Sequence, residues 1–259
     1  MNKFANKTLF AVVITALQWH FWQSISAAQS TTDTPATYIA NYQASANGIR
    51  ATAKRSLTKL DDGTYELANE LQAVVLGQEI ARLEQRSRFQ YSDNSVATEN
   101  YSYTLSGISS DLRNITFDWN AGTALSVEDD ELWTLKLETQ VYDPLSHQFM
   151  MSQQLLNDRS LAYSKSYEYK IVDGDEIETH LYAFVGEEIL ETPLGKLNTI
   201  KMERVRSTGS SRSTTIWLAP EWEFLVARIE QTDGSLQIVL ELADAEISGK
   251  TVSAMTDTR

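Results

Sequence analysis

The sequence contains no cysteine. That excludes disulfides, thiolate metal sites and the acylated cysteine that anchors a bacterial lipoprotein. Glycine and proline are sparse, 11 and 4 among 259 residues, so no flexible linker or low-complexity segment divides the chain. No repeat of fixed period is visible, and no run of basic residues occurs. Long apolar runs are missing as well. The longest candidate, Thr8 to Leu17, has ten residues, half of the roughly 20 that a helix needs to cross a bilayer.

What stands around that run has the layout of a secretory signal. Lys3 and Lys7 precede it without an acid, and Ser26-Ala27-Ala28 follows with the small side chains that a signal peptidase reads. Cleavage is expected after Ala28, which makes 1–28 a signal peptide and 29–259 a single periplasmic domain. The bulky stretch Gln18 to Ile25, with Trp19, Phe21 and Trp22, departs from the usual cleavage region. Removing 1–28 leaves 20 basic residues against 35 acidic ones, a net charge of −15. Such a charge repels phosphate backbones and anionic lipid surfaces, which speaks against nucleic-acid binding and broad electrostatic docking on membranes. Solubility is its simplest use.

The mature chain is patterned for strands. Leu236, Ile238, Leu240 and Leu242 alternate with polar neighbours, the period of a half-buried strand. The turn Thr232 to Ser235 joins that segment to Val226–Gln231, and Gly234 supplies the positive φ that a tight hairpin requires. Asp173-Gly174-Asp175 stands between Tyr167–Ile171 and Ile177–Ala183 in the same way, and Asp61-Asp62-Gly63 repeats the device. Connections so short cannot join parallel strands, so the neighbours are antiparallel. Further strands are expected at 38–45, 49–60, 65–75, 101–106, 115–119, 197–206 and 214–218. The fold class is therefore mainly β: one large curved antiparallel sheet, either an open barrel or a two-layer sandwich. Asp143-Pro144-Leu145, followed by Phe149, Leu155 and Leu156 near one face, predicts one short helix over 144–157. The segment 71–84 fits neither period.

Several phrases occur in one order: Phe117-Asp118-Trp119, Asp143-Pro144-Leu145-Ser146, Gly186-Glu187-Glu188, Glu191-Thr192-Pro193-Leu194-Gly195-Lys196-Leu197, and Thr215-Ile216-Trp217-Leu218-Ala219-Pro220. Together with Tyr38-Ile39-Ala40-Asn41-Tyr42 they resemble a family of exported proteobacterial proteins known only as a domain of unknown function. The resemblance runs from about Tyr38 to Leu242. It implies a periplasmic, β-rich domain and brings no catalytic residues with it.

Chemical motifs are few. His147 and His180 lack the spacing of a metal pair and are expected to be ordinary surface histidines, and no nucleophile elbow, phosphate-binding loop or dinucleotide fingerprint is present. No catalytic residue, metal or cofactor is thus indicated. Glu187-Glu188, Asp118 and Glu84 could be assembled into the carboxylate pair of an envelope hydrolase, but 35 acids make chance pairs abundant. The aromatics Trp119, Trp133, Trp217 and Trp222 could line an apolar cavity in a curved sheet, although filling the core is the commoner use of large rings. Arg204 and Arg206 share a strand face and could hold an anionic headgroup or a partner's carboxylate; pairing with cross-strand glutamates is the ordinary alternative. The candidate ligand contacts are accordingly Trp119, Trp217, Arg204 and Arg206. The expected role is that of a noncatalytic binding or accessory protein of the cell envelope, holding a lipid-like or apolar ligand or a segment of an envelope protein. An envelope hydrolase and a structural part of an envelope complex are the alternatives.

Overall fold

The computed structural model describes residues 34–163 and 166–256; the expected signal peptide lies outside them. Among the described residues, sixteen strands form one curved, unclosed antiparallel sheet with a single α-helix against it. The first eight are a continuous meander: β1 (Tyr38–Ala46), β2 (Ile49–Lys59), β3 (Tyr65–Val75), β4 (Gln78–Ser92), β5 (Ser95–Gly107), β6 (Asp111–Asp118), β7 (Thr123–Glu128) and β8 (Glu131–Lys136). The two-residue β9 (Val141–Tyr142) and the helix α1 (Ser146–Asn157) come next. A second meander follows: β10 (Tyr167–Asp173), β11 (Glu176–Thr192), β12 (Gly195–Val205), β13 (Arg212–Ala219), β14 (Leu225–Asp233) and β15 (Leu236–Ile247), with β16 (Lys250–Thr251) beside β15. The two meanders are joined through β1 and β15, whose register sets Tyr38 opposite Ile247 and Ala46 opposite Ile238. Among the described residues, the only parallel pair in the sheet is β9 with β10.

All three Asp-Gly corners are hairpin turns, with φ of 86° at Gly63, 61° at Gly174 and 57° at Gly234. At the first, Asp62 Oδ1 accepts hydrogen bonds from the Thr64 backbone N–H at 3.0 Å and its hydroxyl at 2.6 Å. The region 71–84 is a hairpin whose turn, Leu76-Gly77, takes positive φ at both residues. Its period is obscured because residues on both faces of β3 and β4 are half-buried and a bulge falls between Ala73 and Val74. β4, β7 and β8 carry weak alternation and escape a reading based on it.

The helix starts at Ser146, two residues later than expected. Asp143 still supplies the acceptor: its Oδ1 takes the N–H groups of Leu145 and Ser146 at 2.6 and 3.0 Å, while Ser146 Oγ accepts the Asp143 N–H at 3.0 Å. This reciprocal arrangement satisfies N–H groups that a helix start leaves without partners. Its position is fixed to the sheet, because Ser87 of β4 donates to Asp143 Oδ2 at 2.6 Å and the hydroxyls of Thr98 and Ser146 meet at 3.0 Å. From there α1 runs across the concave face against β4, β5 and β10. Phe149 packs against Phe89 at 4.7 Å between ring centroids and edge-on to Tyr91 at 5.3 Å. Met151 and Leu155 are fully buried with it. This helix is the floor of the curved sheet. Among the described residues no helix is long and apolar enough to cross a membrane.

Candidate functional site

Above the floor the concave face opens into a cavity of about 240 Å³. Its walls come from both meanders: Tyr101, Tyr103 and Arg113 on one side, His180, Arg204 and Arg206 on the other. Ile115, Ile171, Ile216 and Ile229 line it as well, so the surface mixes apolar patches with charge.

Period two explains why charge arrives there. On β12, Ile200 and Met202 are buried in the core and the same face continues to Arg204; Arg206, just past the strand's end, lines the cavity with it. On β11 the matching face carries Glu178, His180 and Tyr182; the register sets Tyr182 opposite Arg204 and ends with Leu181 opposite Val205, one step short of His180 and Arg206. Each strand therefore passes from core to cavity without a change of period. Only the residue type changes.

Glu178 organises this wall. Its Oε2 accepts from Arg204 Nη2 at 2.8 Å and lies 3.0 Å from His180 Nε2. Burial pulls the Glu178 carboxyl up, but the hydrogen bonds from His180 and Arg204 outweigh it and hold the group below its ordinary range. Burial lowers the His180 pKa to about 4, and the neighbouring Arg204 acts in the same sense. The ring is therefore neutral at pH 7. With Nε2 donating to a carboxylate, Nδ1 carries the lone pair. That Nδ1 is buried and has no hydrogen-bond partner.

His147 sits at the boundary between floor and cavity. Its ring bridges the Asp143 carbonyl at 3.2 Å and the Tyr182 hydroxyl at 3.1 Å. The two histidine rings stand 5.8 Å apart, edge to face. Burial, with His180 nearby, pushes the His147 pKa down to about 3. Burial likewise raises Tyr182 to about 12. The opposite wall is held by Arg113, which binds Asp111 at 2.8 Å, reaches Glu128 at 3.3 Å and approaches Asp173 of the other meander at 4.0 Å. This contact spans the gap that the sheet leaves unclosed. Asp173, Glu178 and His180 bring donor atoms within 4.8 Å of one another, as a metal site requires. Glu178, however, already carries two hydrogen bonds, and the adjacent arginines oppose a second cation.

The four expected ligand contacts separate into two groups. Arg204 and Arg206 line the cavity; Trp119 and Trp217 are absent from its lining. Trp217, only 5% exposed, faces away from Ile216 and from the cavity. Lys201 and Arg228, its cross-strand neighbours, cover its ring, and its indole N–H donates to Glu188. Trp119 stacks on Phe117 and donates to the Thr98 carbonyl at 2.7 Å, with 38% of its surface exposed. The acids considered for a carboxylate pair are not gathered in one cleft. Glu187 and Glu188 line a surface groove of which neither Asp118 nor Glu84 is part. Glu187 accepts from Tyr163, Asp118 accepts the Ala121 N–H, and Glu84 lies 3.8 Å from Arg82. Sequence reasoning assigned His180 to the surface and overlooked Glu178. The hairpin register of β10, β11 and β12 is the signal that joins them to Arg204 and Arg206.

Residues 41–242 match the protein family of unknown function DUF3108, and the chain belongs to it. No curated protein matches the chain. Among solved structures, it is similar to a β-barrel-like protein of the domain of unknown function DUF1849 from Brucella abortus. The identity is 8%, the TM-score is 0.52, and the match covers 82% of this chain and 98% of that one. A candidate lipoprotein from Parabacteroides distasonis is aligned over 83% of this chain and 97% of that chain, at 14% identity and a TM-score of 0.30. The Brucella structure supports the barrel-like fold alone.

Proposed function

We propose that this member of an uncharacterised family is an exported, noncatalytic binding or accessory protein of the cell envelope, whose 29–259 region is one domain. The cavity above α1 receives a ligand or a segment of an envelope partner. One observation carries the reading: the two meanders converge on a cavity whose lining combines isoleucines with Arg204, Arg206 and His180. A mixed lining of this kind suits an amphipathic occupant, with apolar area for affinity and a few placed polar groups for orientation. The holding role gains support from the two histidines, which are neutral and bonded to Tyr182, Glu178 and a backbone carbonyl. Of the four expected contacts the reading keeps Arg204 and Arg206 and leaves the two tryptophans out.

The test is native mass spectrometry of protein purified from the periplasm, combined with a photo-crosslinking side chain at Gln231 on the cavity wall. The expected result is a bound species and a crosslinked adduct, both lost when Ile216 and Ile229 are replaced by aspartate in protein that retains its circular dichroism. Protein that emerges empty and uncrosslinked overturns the binding role.

A further inference from the structure

Arg204, on β12, and Arg206, just past its end, differ. Arg204 is committed to Glu178. Arg206 has no carboxylate within ion-pair distance among the described residues, in a chain with 35 acids, and its buried Nε has no acceptor. A guanidinium N–H that is shielded from bulk water and unpaired is costly, and such a donor is retained where an acceptor arrives from outside. Beside it, the His180 ring is 8% exposed and its Nδ1 also lacks a partner. The two residues stand next to the last paired positions of β11 and β12, Leu181 opposite Val205, and both line the cavity. One therefore offers a fixed positive donor and the other a neutral acceptor.

We propose that Arg206 and His180 form a subsite for a hydroxylated monoanion: an acid oxygen accepts from the Arg206 guanidinium, and an adjacent hydroxyl donates to His180 Nδ1. The inference rests on the cavity being a binding site and names the chemistry of its occupant. A single negative charge follows from the surroundings. Glu128, Asp173 and Glu178 stand at the same opening and oppose a dianion, while Arg204 and Arg113 are already neutralised by acids. A cavity of about 240 Å³ suits a small polyol acid or a phosphodiester headgroup. Both sources share the chemistry of one anionic group next to a hydroxyl.

Isothermal titration calorimetry on the 29–259 protein separates them. Gluconate represents the free acid, glycerophosphoglycerol the deacylated headgroup, and acetate the anion without a hydroxyl. At least one of the first two should bind at least about tenfold more tightly than acetate, since a hydrogen bond to a charged group or a lost buried partner is worth about that factor. Arg206→Gln should lower that affinity about tenfold or more, with Arg206→Lys intermediate. His180→Phe should bring gluconate or the headgroup down to the level of acetate. Tighter binding by gluconate assigns the site to a free acid, and tighter binding by the headgroup to a lipid.

Failure is distinguishable from failure of the broader reading. If the native protein carries an occupant that Arg206→Gln retains, and neither probe binds, the monoanion subsite is wrong and the binding role stands. If the native protein is empty and no probe binds, both are wrong. Circular dichroism of each variant guards against misfolding, and the Lys variant keeps the charge should Gln disturb the wall.

Discussion

The floor and the mouth of the concave face differ in how their polar groups are used. In the floor, Asp143 accepts from Ser87, Leu145 and Ser146, and the buried Arg55 donates to Tyr38, Asn69 and Gln148 at 3.0–3.1 Å. Both are enclosed and both are satisfied. In the mouth, two residues beyond the committed Arg204, Arg206 keeps an idle donor, and His180 keeps an idle acceptor. An unsatisfied buried group lowers stability, so a fold that retains two of them side by side carries a local cost that packing does not explain. The floor is organised for the fold. The mouth holds hydrogen-bonding capacity that the fold itself leaves unused.

The difference predicts a gradient of mutational cost. Phe149→Ala should be the most damaging, because that ring packs against Phe89 and Tyr91 with little room for collapse. Urea unfolding is expected to show a loss of about 3–5 kcal/mol. Asp143→Ala comes next. It removes the acceptor for one hydroxyl and two backbone N–H groups in a buried setting, and orphaning such donors costs about 1–3 kcal/mol. If either change proves neutral, the helix is not a stabilising floor of the sheet.

Acid sharpens the contrast through the two histidines. Both folded pKa values lie below the unfolded value of about 6.5, at about 3 for His147 and about 4 for His180. The unfolded chain therefore binds protons that the folded chain refuses, and the stability present above pH 6.5 is lost as pH falls toward 4. Each ring contributes at most about 1.4 kcal/mol per pH unit across that window. Guanidinium unfolding at several pH values should show the slope, and His180→Gln should remove roughly half of it. An occupied mouth should alter the His180 portion and leave that of His147, which is locked between Asp143 and Tyr182, in place.

Hairpin connectivity was legible because Asp-Gly corners enforce a backbone conformation locally, and the helix announced itself through Asp143-Pro144. What escaped was whatever depends on curvature. Period two shows that Trp217 and Ile216 point to opposite faces; it does not show which face is concave. Trp217 therefore read as a cavity contact, although Lys201, Arg228 and Glu188 cover it on the far side. His180 read as a surface residue for the same reason, since only the closing of β10 to β12 toward Arg113 and Glu128 encloses it. Arg204 and Arg206 could be placed on the same side from sequence because residues two apart in an extended segment share a face whichever way the sheet bends. Trp217→Phe checks this placement. Losing the Glu188 hydrogen bond should cost about 1 kcal/mol in unfolding and leave occupancy of the mouth unchanged.

Arg206→Met should have the smallest effect on stability. Methionine keeps an unbranched apolar stem of similar reach and removes the guanidinium, including the buried Nε that no group in the wall accepts. The change also relieves repulsion from Arg204 and Arg212, which together with burial holds the Arg206 pKa below its ordinary value. The expected unfolding free energy is equal to that of the parent within about 0.5 kcal/mol, or slightly higher, since removing an unsatisfied polar group is close to neutral. Urea midpoints measured on ligand-free protein decide the point. A loss above about 1 kcal/mol, well outside the range of an uncommitted side chain, would mean that Arg206 supports the wall much as Arg55 supports the floor. The mouth would then be a continuation of the core with poorer hydrogen bonding, and its idle groups would carry no message about a ligand.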